Sequence, residues 1–318
     1  MAEGTESDAT RQRDTVAVVI VTYNRADVLV GCLDGLATQT SPPDAVFVVD
    51  NASGDHTAEI LQGRTDLPLR IVRTEQNLGG AGGFHLGVRL AYDAGFDRIW
   101  LMDDDVIPAP SCLQVLLDHP GPALMAVRED TAGRLVEKAA LAFDLANPFA
   151  IRPKRATVDD RWHLRSEMPA EVVLENVAFE GFMVHRRVIE TIGLPDPSYF
   201  IFYDDCDFAI RARRAGFTLL GVRDAVLVRQ LDFDQQHALD TWKGFYMYRN
   251  LFAVHFRYGE NVLVRLKPYL ITLAVVLLAP SRGGVAEARN VIRAILGARG
   301  MRHVPVVARS GRADPSVD

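Results

Sequence analysis

The fold is decided by residues 16–25, which have the sequence VAVVIVTYNR. The first six of these residues are apolar and mostly β-branched, a pattern typical of a strand that is covered on both faces within a parallel sheet. A polar segment follows, and from residue 26 to about residue 38 apolar side chains recur at helical spacing. This part of the chain therefore predicts a strand followed by a helix.

The same succession continues outward from this strand. Three further apolar runs predict strands: AVFVVD (45–50), LRIVRTE (69–75) and RIWLM (98–102). Helical patterns separate them, near residues 56–62 and from about 84 to 94. Strands that alternate with helices predict an α/β fold, in which helices flank an open, mostly parallel sheet of Rossmann-like type.

Beyond residue 111 the periodicity is weaker. A short helix is expected near residues 113–118, and residues 121–175 are expected to be mixed and partly irregular. Residues 179–193 have the pattern of a strand, a turn and a helix, and residues 200–216 end in an amphipathic helix.

Composition excludes several classes of protein. The net charge of -6 argues against a nucleic-acid partner, because nucleic-acid binders usually carry a basic surface. The three cysteines form no close CxxC pair, so neither a disulfide framework nor a zinc site is indicated, and reduced thiols in a cytosolic setting are expected. Residues 1–15 are polar and are expected to form a disordered lead-in. Residues 257–318, in contrast, contain ten basic and four acidic residues.

Polar clusters follow each of the four predicted strands. They are Thr22 to Arg25, Asp50 with Asn51, Asn77 with the glycines after it, and Asp103 to Asp105. In an open α/β sheet, ligands bind beyond the carboxyl ends of the strands. One such cluster is explained by ordinary loop composition, whereas four at the same edge predict a ligand site.

The run Asp103-Asp104-Asp105 is the most informative of these clusters. Adjacent carboxylates repel one another, and a Mg²⁺ or Mn²⁺ ion shared with a diphosphate would offset that cost. Because side chains alternate along extended backbone, Asp103 and Asp105 are expected to point the same way. The alternative is a solvated acidic turn or a helix N-cap.

The glycines at positions 79, 80, 82 and 83 would allow the backbone to approach a phosphate or a sugar closely. They do not satisfy the GxGxxG pattern, because His85 stands where the last glycine is needed. A nicotinamide-dependent oxidoreductase is therefore a weak alternative.

A second acidic group, made of Asp204, Asp205 and Asp207, precedes the amphipathic helix and lies near several aromatic residues. A carboxylate beside apolar rings and other carboxylates is a candidate for a raised pKa, which a general base requires. Acidic residues are also favoured at a helix N-terminus by the helix dipole, so helix capping is an equally good explanation.

Taken together, these segments resemble the inverting family 2 glycosyltransferases of GT-A fold, which use nucleotide sugars. The resemblance is carried by motifs that occur in the expected order over roughly residues 15–250: VVIVTYNR, VFVVDNASGD, NLGGAGGF, WLMDDDVIP, EGFMVHRRVIETIG, FIFYDDCDFAIRARRAG and FYMYRN. Within that family, WLMDDD, FIFYDD and HALDTWKGFYMYRN are most similar to the actinobacterial galactofuranosyltransferases that initiate cell-wall galactan.

The resemblance implies roles for individual residues. Asp205 is expected to be the catalytic base, supported by Asp204. The donor nucleotide is expected to contact a larger set: Thr22, Tyr23, Asn24, Arg25, Asp50, Asn77, Gly79, Gly80, Gly83, Asp103 and Asp104. The acceptor is expected to contact Gly181, Asp207 and Trp242.

The metal ligands implied by the resemblance are Asp103 and Asp105, with Mn²⁺ or Mg²⁺ as the cofactor. Relatives place a histidine after a later strand as a further ligand, but this chain has Arg229 and Gln230 at that point. His237 is the nearest histidine, and it is either a substitute ligand or a surface residue.

The resemblance also implies a domain plan and a cellular setting. The glycosyltransferase domain is expected to span residues 16–256, with a nucleotide-binding half (16–110) and an acceptor half (111–256), followed by a helical extension (257–318). The implied partners are a UDP-sugar donor and a lipid-linked oligosaccharide acceptor, and the chain is expected in the cytoplasm, peripheral on the inner face of the plasma membrane. A homo-oligomer is compatible with the sequence.

The apolar run PYLITLAVVLLAP (268–280) bears on the membrane expectation. Its thirteen residues fall short of the roughly 20 that span a bilayer. Residues 262–297 are expected either to lie on an anionic lipid surface or to form a buried core or dimer-interface helix. The enzymatic alternatives are a rhamnosyltransferase that uses a dTDP-sugar and, in a different class, the oxidoreductase; a catalytically inactive sugar-binding protein is a third.

Overall fold

A computed structural model describes residues 13–150, 152–231, 239–281 and 284–301. The strands in these ranges are β1 (Val16–Thr22), β2 (Ala45–Asp50), β3 (Leu69–Arg73), β4 (Arg98–Asp103), β5 (Val106–Pro108), β6 (Ala123–Glu129), β7 (Ala140–Phe143), β8 (Lys154–Thr157), β9 (Glu171–Leu174), β10 (Phe182–His185) and β11 (Leu219–Arg229). The α-helices are α1 (Ala26–Ala37), α2 (Thr57–Gly63), α3 (Gly79–Asp93), α4 (Cys112–Asp118), α5 (Val158–Arg161), α6 (Arg186–Ile192), α7 (Asp204–Arg214), α8 (Trp242–Tyr258), α9 (Val262–Leu278) and α10 (Gly284–Gly300).

The main sheet places the ends of its first strands side by side. The strand order is β3-β2-β1-β4-β10-β6-β11-β5, and β9 pairs with β11. Strands β1 to β4 are parallel, whereas β10 is antiparallel to both of its neighbours. The register sets Thr22 opposite Asp50 and Val21 opposite Asp103. The predicted open sheet with flanking helices is therefore confirmed, and its second half is mixed.

Strand β1 is buried along its whole length, as its continuous apolar run predicted. Val19 and Val21 belong to the core on the α3 side of the sheet, and Val18 and Ile20 belong to the core on the α1 side. Both faces of the strand are therefore covered, which fixes β1 as a central strand.

Helix α3 begins at Gly79 rather than near residue 84, so the predicted start was wrong. Glycine is a poor helix former, and the glycine-rich segment therefore favoured a loop. A Cβ at Gly83 would lie 2.5 Å from a methyl carbon of Val21, and one at Gly87 would lie 2.4 Å from a methyl carbon of Val19. Glycine at these positions lets α3 approach the sheet closely, and this brings the start of the helix to the carboxyl ends of the strands.

The expected mixed region contains a small hairpin. Strands β7 and β8 pair antiparallel, and α5 follows β8 directly. This hairpin lies against the segment between β9 and β10, since the Glu175 amide donates to the Ala140 carbonyl and the Phe143 amide donates to the Glu175 carboxylate. The hairpin and its flanking loops therefore form one side of the cavity described below.

The three last helices form a core of their own with residues of the α7 region. Phe252 and Val254 of α8 and Val291 of α10 are fully buried in that core, together with Tyr199. Helix α8 runs across the predicted domain boundary between residues 256 and 257. None of the helices in the described part of the chain is both long enough and apolar enough to cross a bilayer.

Candidate active site

The aspartates predicted to hold a metal lie at the end of β4. Arg25 donates to the Asp104 carboxylate at 3.1 Å and to the Asp105 carboxylate at 3.3 Å. The Arg229 guanidinium lies 3.9 Å from the same Asp105 oxygen. Asp105 Oδ1 is buried without a hydrogen-bond partner among the described residues. A cation could therefore still be accommodated at that oxygen.

Glu180 completes an acidic cluster that the sequence analysis missed. One carboxylate oxygen each from Asp103, Asp105 and Glu180 lie within 4.8 Å of one another. Three carboxylate oxygens at this separation are a donor set that suits a hard divalent cation. The residues present therefore fit Mn²⁺ or Mg²⁺.

Arg128 holds Glu180 in place from the opposite side. Its guanidinium forms two hydrogen bonds to Glu137, at 2.9 and 2.8 Å, and a further ion pair with Glu180. Arg128 and Glu137 are essentially inaccessible to solvent. The buried guanidinium of Arg128 is shared by Glu137 and Glu180, and this pairing fixes the orientation of the Glu180 side chain.

Burial and mutual repulsion set the ionisation of the cluster. Burial raises the pKa of Asp103 well above its ordinary value, and the charges of Glu180 and Asp105 add to this effect. Burial and the charge of Glu180 also raise the pKa of Asp105, although Arg229 and Arg25 oppose the rise. Burial also disfavours ionised Glu180, but the charges of Arg128 and Arg229 outweigh it and lower that pKa. The cluster carries negative charge that a bound cation would stabilise.

The residue predicted to be the base, Asp205, lies in the first turn of α7 after a strained loop. Phe200, Phe202 and Tyr203 have φ angles of 64°, 66° and 68°, a left-handed conformation that non-glycine residues rarely adopt. Backbone strain of this kind concentrates at functional sites, where the surrounding structure must hold it.

Asn250 of α8 holds that loop and was not singled out from the sequence. Its side-chain amide donates to the carbonyls of Tyr199, Ile201 and Phe202 at 3.0, 2.7 and 2.9 Å. Asn250 is completely buried. The asparagine that ends the FYMYRN motif therefore sets the path of the chain into α7.

The two aspartates at the start of α7 share an environment that disfavours their charged forms. Burial, followed by the charge of Asp205, raises the pKa of Asp204 to about 8. Burial also raises the pKa of Asp205, while Lys154 and the Cys206 amide oppose the rise. A carboxyl group that titrates above its usual range can accept a proton near neutral pH.

The residues predicted to bind the donor line the carboxyl edge of the first strands. Asp50 is buried and accepts hydrogen bonds from Arg73 at 2.9 Å and from the Ser53 amide at 2.8 Å. Asn24 has a φ of 53° and accepts a hydrogen bond from Gly54, while Tyr23 is 44% exposed. Thr22 lies next to Asp50 in the sheet. The structure therefore brings these residues together, and their contacts with a nucleotide stay a prediction.

The start of α3 connects the donor edge to the loop before α7. Asn77 accepts a hydrogen bond from the Gly79 amide, and Asn51 donates to the Gly79 carbonyl. A Cβ at Gly79 would lie 2.1 Å from the Phe200 carbonyl oxygen, whereas a Cβ at Gly80 would meet nothing within 4 Å. Gly79 is thus required for close contact between the two segments, whereas Gly80 has open space beside it.

The three residues predicted to bind the acceptor occupy different environments. Trp242 is 57% exposed and packs edge-on against Phe200. Gly181 is buried next to Glu180, and its carbonyl accepts a hydrogen bond from Trp100. Asp207 is fully buried, and its carboxylate accepts hydrogen bonds from two tyrosines and two arginines, namely Tyr199, Tyr258, Arg211 and Arg257. The acceptor roles of all three residues stay predictions.

The alternative metal ligand His237 lies outside the described residues. Of the two residues at the position of the expected histidine, Gln230 donates to the Val28 carbonyl at 2.9 Å and so anchors α1. Arg229 faces Asp105, as described above. Both residues are therefore engaged with the protein itself.

Asp205 and Glu180 line the same cavity, which has a volume of about 640 Å³. Glu180 belongs at once to the acidic cluster and to this cavity. Glu180 therefore connects the acidic cluster at the end of β4 with the cavity that Asp205 lines. The volume lies within the range of about 300–1,000 Å³ that is common for small-molecule sites.

Comparison with known proteins adds independent information. The family model "Glycosyl transferase family 2" matches residues 17–120. The galactofuranosyltransferase GlfT1 of Mycolicibacterium smegmatis is 30% identical over 251 residues, a match that covers 74% of this chain and 82% of that protein.

Solved structures of low sequence identity have the same fold. GalNAc-T7 with UDP, GalNAc and Mn²⁺ matches with a TM-score of 0.61 at 15% identity, over 84% of this chain and 51% of that chain. The mannosyltransferase PcManGT from Pyrobaculum calidifontis, in complex with GDP-Man and Mn²⁺, matches with a TM-score of 0.53 at 21% identity, over 93% of this chain and 78% of that chain. At these identities the likeness establishes the fold, which is of GT-A type.

Proposed function

The chain belongs to glycosyltransferase family 2 and is a hexosyltransferase, and from this premise we propose that it transfers galactofuranose from UDP-galactofuranose to a polyprenyl-diphosphate-linked glycan. The product would be an intermediate of cell-wall galactan. Family membership removes the nicotinamide oxidoreductase from consideration. No contact in the described structure favours a dTDP-rhamnose donor.

The observation that carries the proposal is that Glu180 belongs both to the acidic cluster and to the cavity lined by Asp205. Asp103, Asp105 and Glu180 form the cluster that suits a divalent cation. Asp205 lines the cavity into which Glu180 also projects. Glycosyl transfer with inversion needs a separate carboxylate for the proton, and this arrangement supplies one.

In the proposed reaction, Asp205 accepts the proton of an acceptor hydroxyl. The hydroxyl oxygen forms a bond to the anomeric carbon as the bond from that carbon to the diphosphate oxygen breaks, and UDP leaves from the opposite face of the sugar. Burial raises the pKa of Asp205, which makes the carboxylate a stronger base. The loop held by Asn250 orients this carboxylate.

Asp103, Asp105 and Glu180 would hold Mn²⁺ or Mg²⁺ together with the donor diphosphate. Such an ion neutralises charge on the departing diphosphate when it is bound. Arg128 keeps Glu180 charged and oriented for that purpose, and Arg25 bridges Asp104 and Asp105. Holding donor and acceptor in one orientation supplies much of the remaining acceleration.

A donor panel tests the substrate assignment. UDP-galactofuranose, UDP-galactopyranose, UDP-glucose and dTDP-rhamnose would each be incubated with a synthetic diphosphate-linked disaccharide, with Mn²⁺, with Mg²⁺ and with a chelator. We expect metal-dependent extension by galactofuranose, detected by mass spectrometry and NMR. Transfer from a different donor at a higher kcat/KM would reject the proposed sugar while leaving the family assignment intact.

We also propose that the chain is peripheral on the cytoplasmic face of the membrane. The support is an exposed apolar face on α9, where Leu270, Leu273 and Leu277 are 63%, 57% and 69% exposed. Three exposed leucines on one helix of 17 residues favour contact with a lipid surface or another protein. The oligomeric state stays a prediction.

Vesicle co-sedimentation tests the membrane proposal. Replacing Leu273 and Leu277 by glutamate should reduce sedimentation with anionic vesicles and leave turnover of a short-chain acceptor unchanged. Sedimentation equal to that of the wild-type chain would reject attachment through α9.

A further inference from the structure

The cavity that contains Asp205 has an unusual surplus of basic side chains. Besides Arg128, which is neutralised by Glu137 and Glu180, it is lined by Lys138, Arg152 and Lys154. These last three come from the β7–β8 hairpin and the loops beside it, and they will be called the basic rim. The mechanism described above does not use the rim as a group.

The charges of the rim are only partly compensated. Lys138 forms an ion pair with Asp159 at 2.5 Å. In the described ranges, neither Arg152 nor Lys154 has a carboxylate within the 4.0 Å of an ion pair, and both side chains are exposed to solvent. Lys154 donates to the Lys138 carbonyl, which holds the two lysines side by side. The rim therefore presents net positive charge to the opening.

The other wall of the same cavity is apolar. Ile271 and Val275 of α9 line it, and the exposed leucines of α9 lie on the same helix. Lys267 of α9 donates to the carbonyls of Asn147 and Ala150, so the helix is fastened to the loop that leads to Arg152. Asp205, the basic rim and the apolar side chains of α9 therefore line one opening.

This combination matches a particular chemistry. A ligand with a sugar hydroxyl for Asp205, a phosphate for the rim and a hydrocarbon chain for α9 would satisfy all three surfaces. The donor diphosphate belongs to the separate cluster of Asp103, Asp105 and Glu180, so the rim is free for a second phosphate. Arginine suits such a group because its guanidinium forms two parallel hydrogen bonds to phosphate oxygens.

We propose that Lys138, Arg152 and Lys154 form a phosphate subsite for the diphosphate of a lipid-linked acceptor, distinct from the donor site. This inference rests on the proposed function, since it assigns the acceptor of the same reaction. The subsite selects phosphorylated acceptors over neutral glycosides with the same sugars. It also fixes which end of the acceptor reaches Asp205.

The test compares two acceptors that differ in charge. One is a disaccharide on a short-chain lipid diphosphate, and the other is the same disaccharide as a neutral octyl glycoside, both used without membranes. The variant is the double substitution Lys138→Gln and Arg152→Gln; Lys154 is left unchanged because it also acts on the pKa of Asp205. Arg155→Gln is the matched control, since Arg155 is an exposed neighbour in β8 that does not line the cavity.

We expect the double variant to raise KM for the diphosphate acceptor at least roughly tenfold, because a charge-assisted hydrogen bond is about twice as strong as a neutral one. KM for the octyl glycoside and for the UDP-sugar should stay the same, as should every constant of the Arg155→Gln variant. An unchanged KM for the diphosphate acceptor, or an equal rise for both acceptors, would overturn the proposal.

Two further measurements distinguish the phosphate subsite from membrane binding by the rim and from failure of the proposed function. If the double variant loses sedimentation with anionic vesicles but keeps its KM for the short-chain diphosphate, the rim binds membrane headgroups and the subsite is rejected. Calorimetric binding of the diphosphate acceptor needs no turnover. If the wild-type chain transfers sugar to neither acceptor, the proposed function is rejected. The calorimetric comparison of the wild-type chain with the double variant still decides whether the subsite exists.

Discussion

Replacement of Asn250 by alanine should show whether this residue positions the proposed base, Asp205, in addition to stabilising the fold. The substitution removes the donor to the carbonyls of Ile201 and Phe202, whereas the Tyr199 carbonyl keeps a hydrogen bond from Arg249. Two partly buried carbonyls without a donor cost about 1–3 kcal/mol each, and a water molecule in the space left by the side chain would recover part of this. We expect the free energy of unfolding to fall by roughly 3 kcal/mol, which lowers Tm by about 8 °C in a chain of this size.

The effect on catalysis should be larger than the loss of stability explains. The loop before α7 has three non-glycine residues with φ between 64° and 68°. Each left-handed residue costs roughly 1–2 kcal/mol, so the loop should relax when its donor is removed. A shift of about 1 Å in the Asp205 carboxylate would lower kcat on the order of a hundredfold. The KM for the donor should change less than kcat, because Asn250 makes no hydrogen bond to the predicted donor residues in the described structure and reaches Gly79 only through the backbone of Phe200.

Gln39→Ala is the matched control for this experiment. Gln39 is also buried, and its side-chain amide donates to three carbonyls, those of Gly35, Pro108 and Ala109. It lies just past the C-terminal end of α1, a helix about 18 Å long whose other end adjoins the donor edge, and it makes no hydrogen bond to the loop before α7 in the described structure. We expect a comparable fall in Tm with kcat unchanged at a temperature where both variants are folded. Equal losses of kcat in the two variants, or a normal kcat for Asn250→Ala, would refute a positioning role.

Further variants test the separate parts of the site. Asp205→Asn should lower kcat by roughly a thousandfold and leave UDP and Mn²⁺ binding almost intact in calorimetry, so loss of binding would count against a purely catalytic role. Glu180→Gln should weaken Mn²⁺ binding about tenfold, and unchanged affinity would exclude Glu180 from the metal site. Because burial raises the pKa of Asp205 and the base must be ionised, kcat/KM should rise with pH through that pKa. Lys154→Met removes a charge that lowers this pKa and should move the rise to higher pH; a shift to lower pH would contradict the assignment. Gly79→Ala should abolish activity because its Cβ would lie 2.1 Å from a backbone oxygen, whereas Gly80→Ala should fold with an unchanged Tm, because its Cβ would meet nothing within 4 Å.

The first half of the fold was predictable because its signals are local. The apolar run at residues 16–21 and the three runs after it each form a strand, and their order along the chain gives the parallel sheet. The start of α3 was not predictable, because the glycines that disfavour a helix on propensity are required there for close packing on Val19 and Val21. Tertiary packing overrides helix propensity at that point.

Site residues that stand together in a short acidic motif were predictable from the sequence. Site residues that act through contacts between distant segments were not. Asp103, Asp105 and Asp205 stand in acidic runs that are visible in the sequence. Glu180 is a single acidic residue before an apolar strand, and its proximity to Asp103 follows from the antiparallel pairing of β10 with β4. Asn250 is separated from the loop that it holds by about fifty residues, so no local pattern indicates its role.

Crystals soaked with UDP and Mn²⁺ offer the most direct test of the central claim, that the two acidic groups serve one donor site. Anomalous diffraction would locate the ion without reference to activity. The account predicts one strong peak among the carboxylates of Asp103, Asp105 and Glu180, with the UDP diphosphate bound to it and its terminal phosphate facing the cavity of Asp205. A peak elsewhere, or a diphosphate that opens onto a surface remote from Asp205, would contradict it.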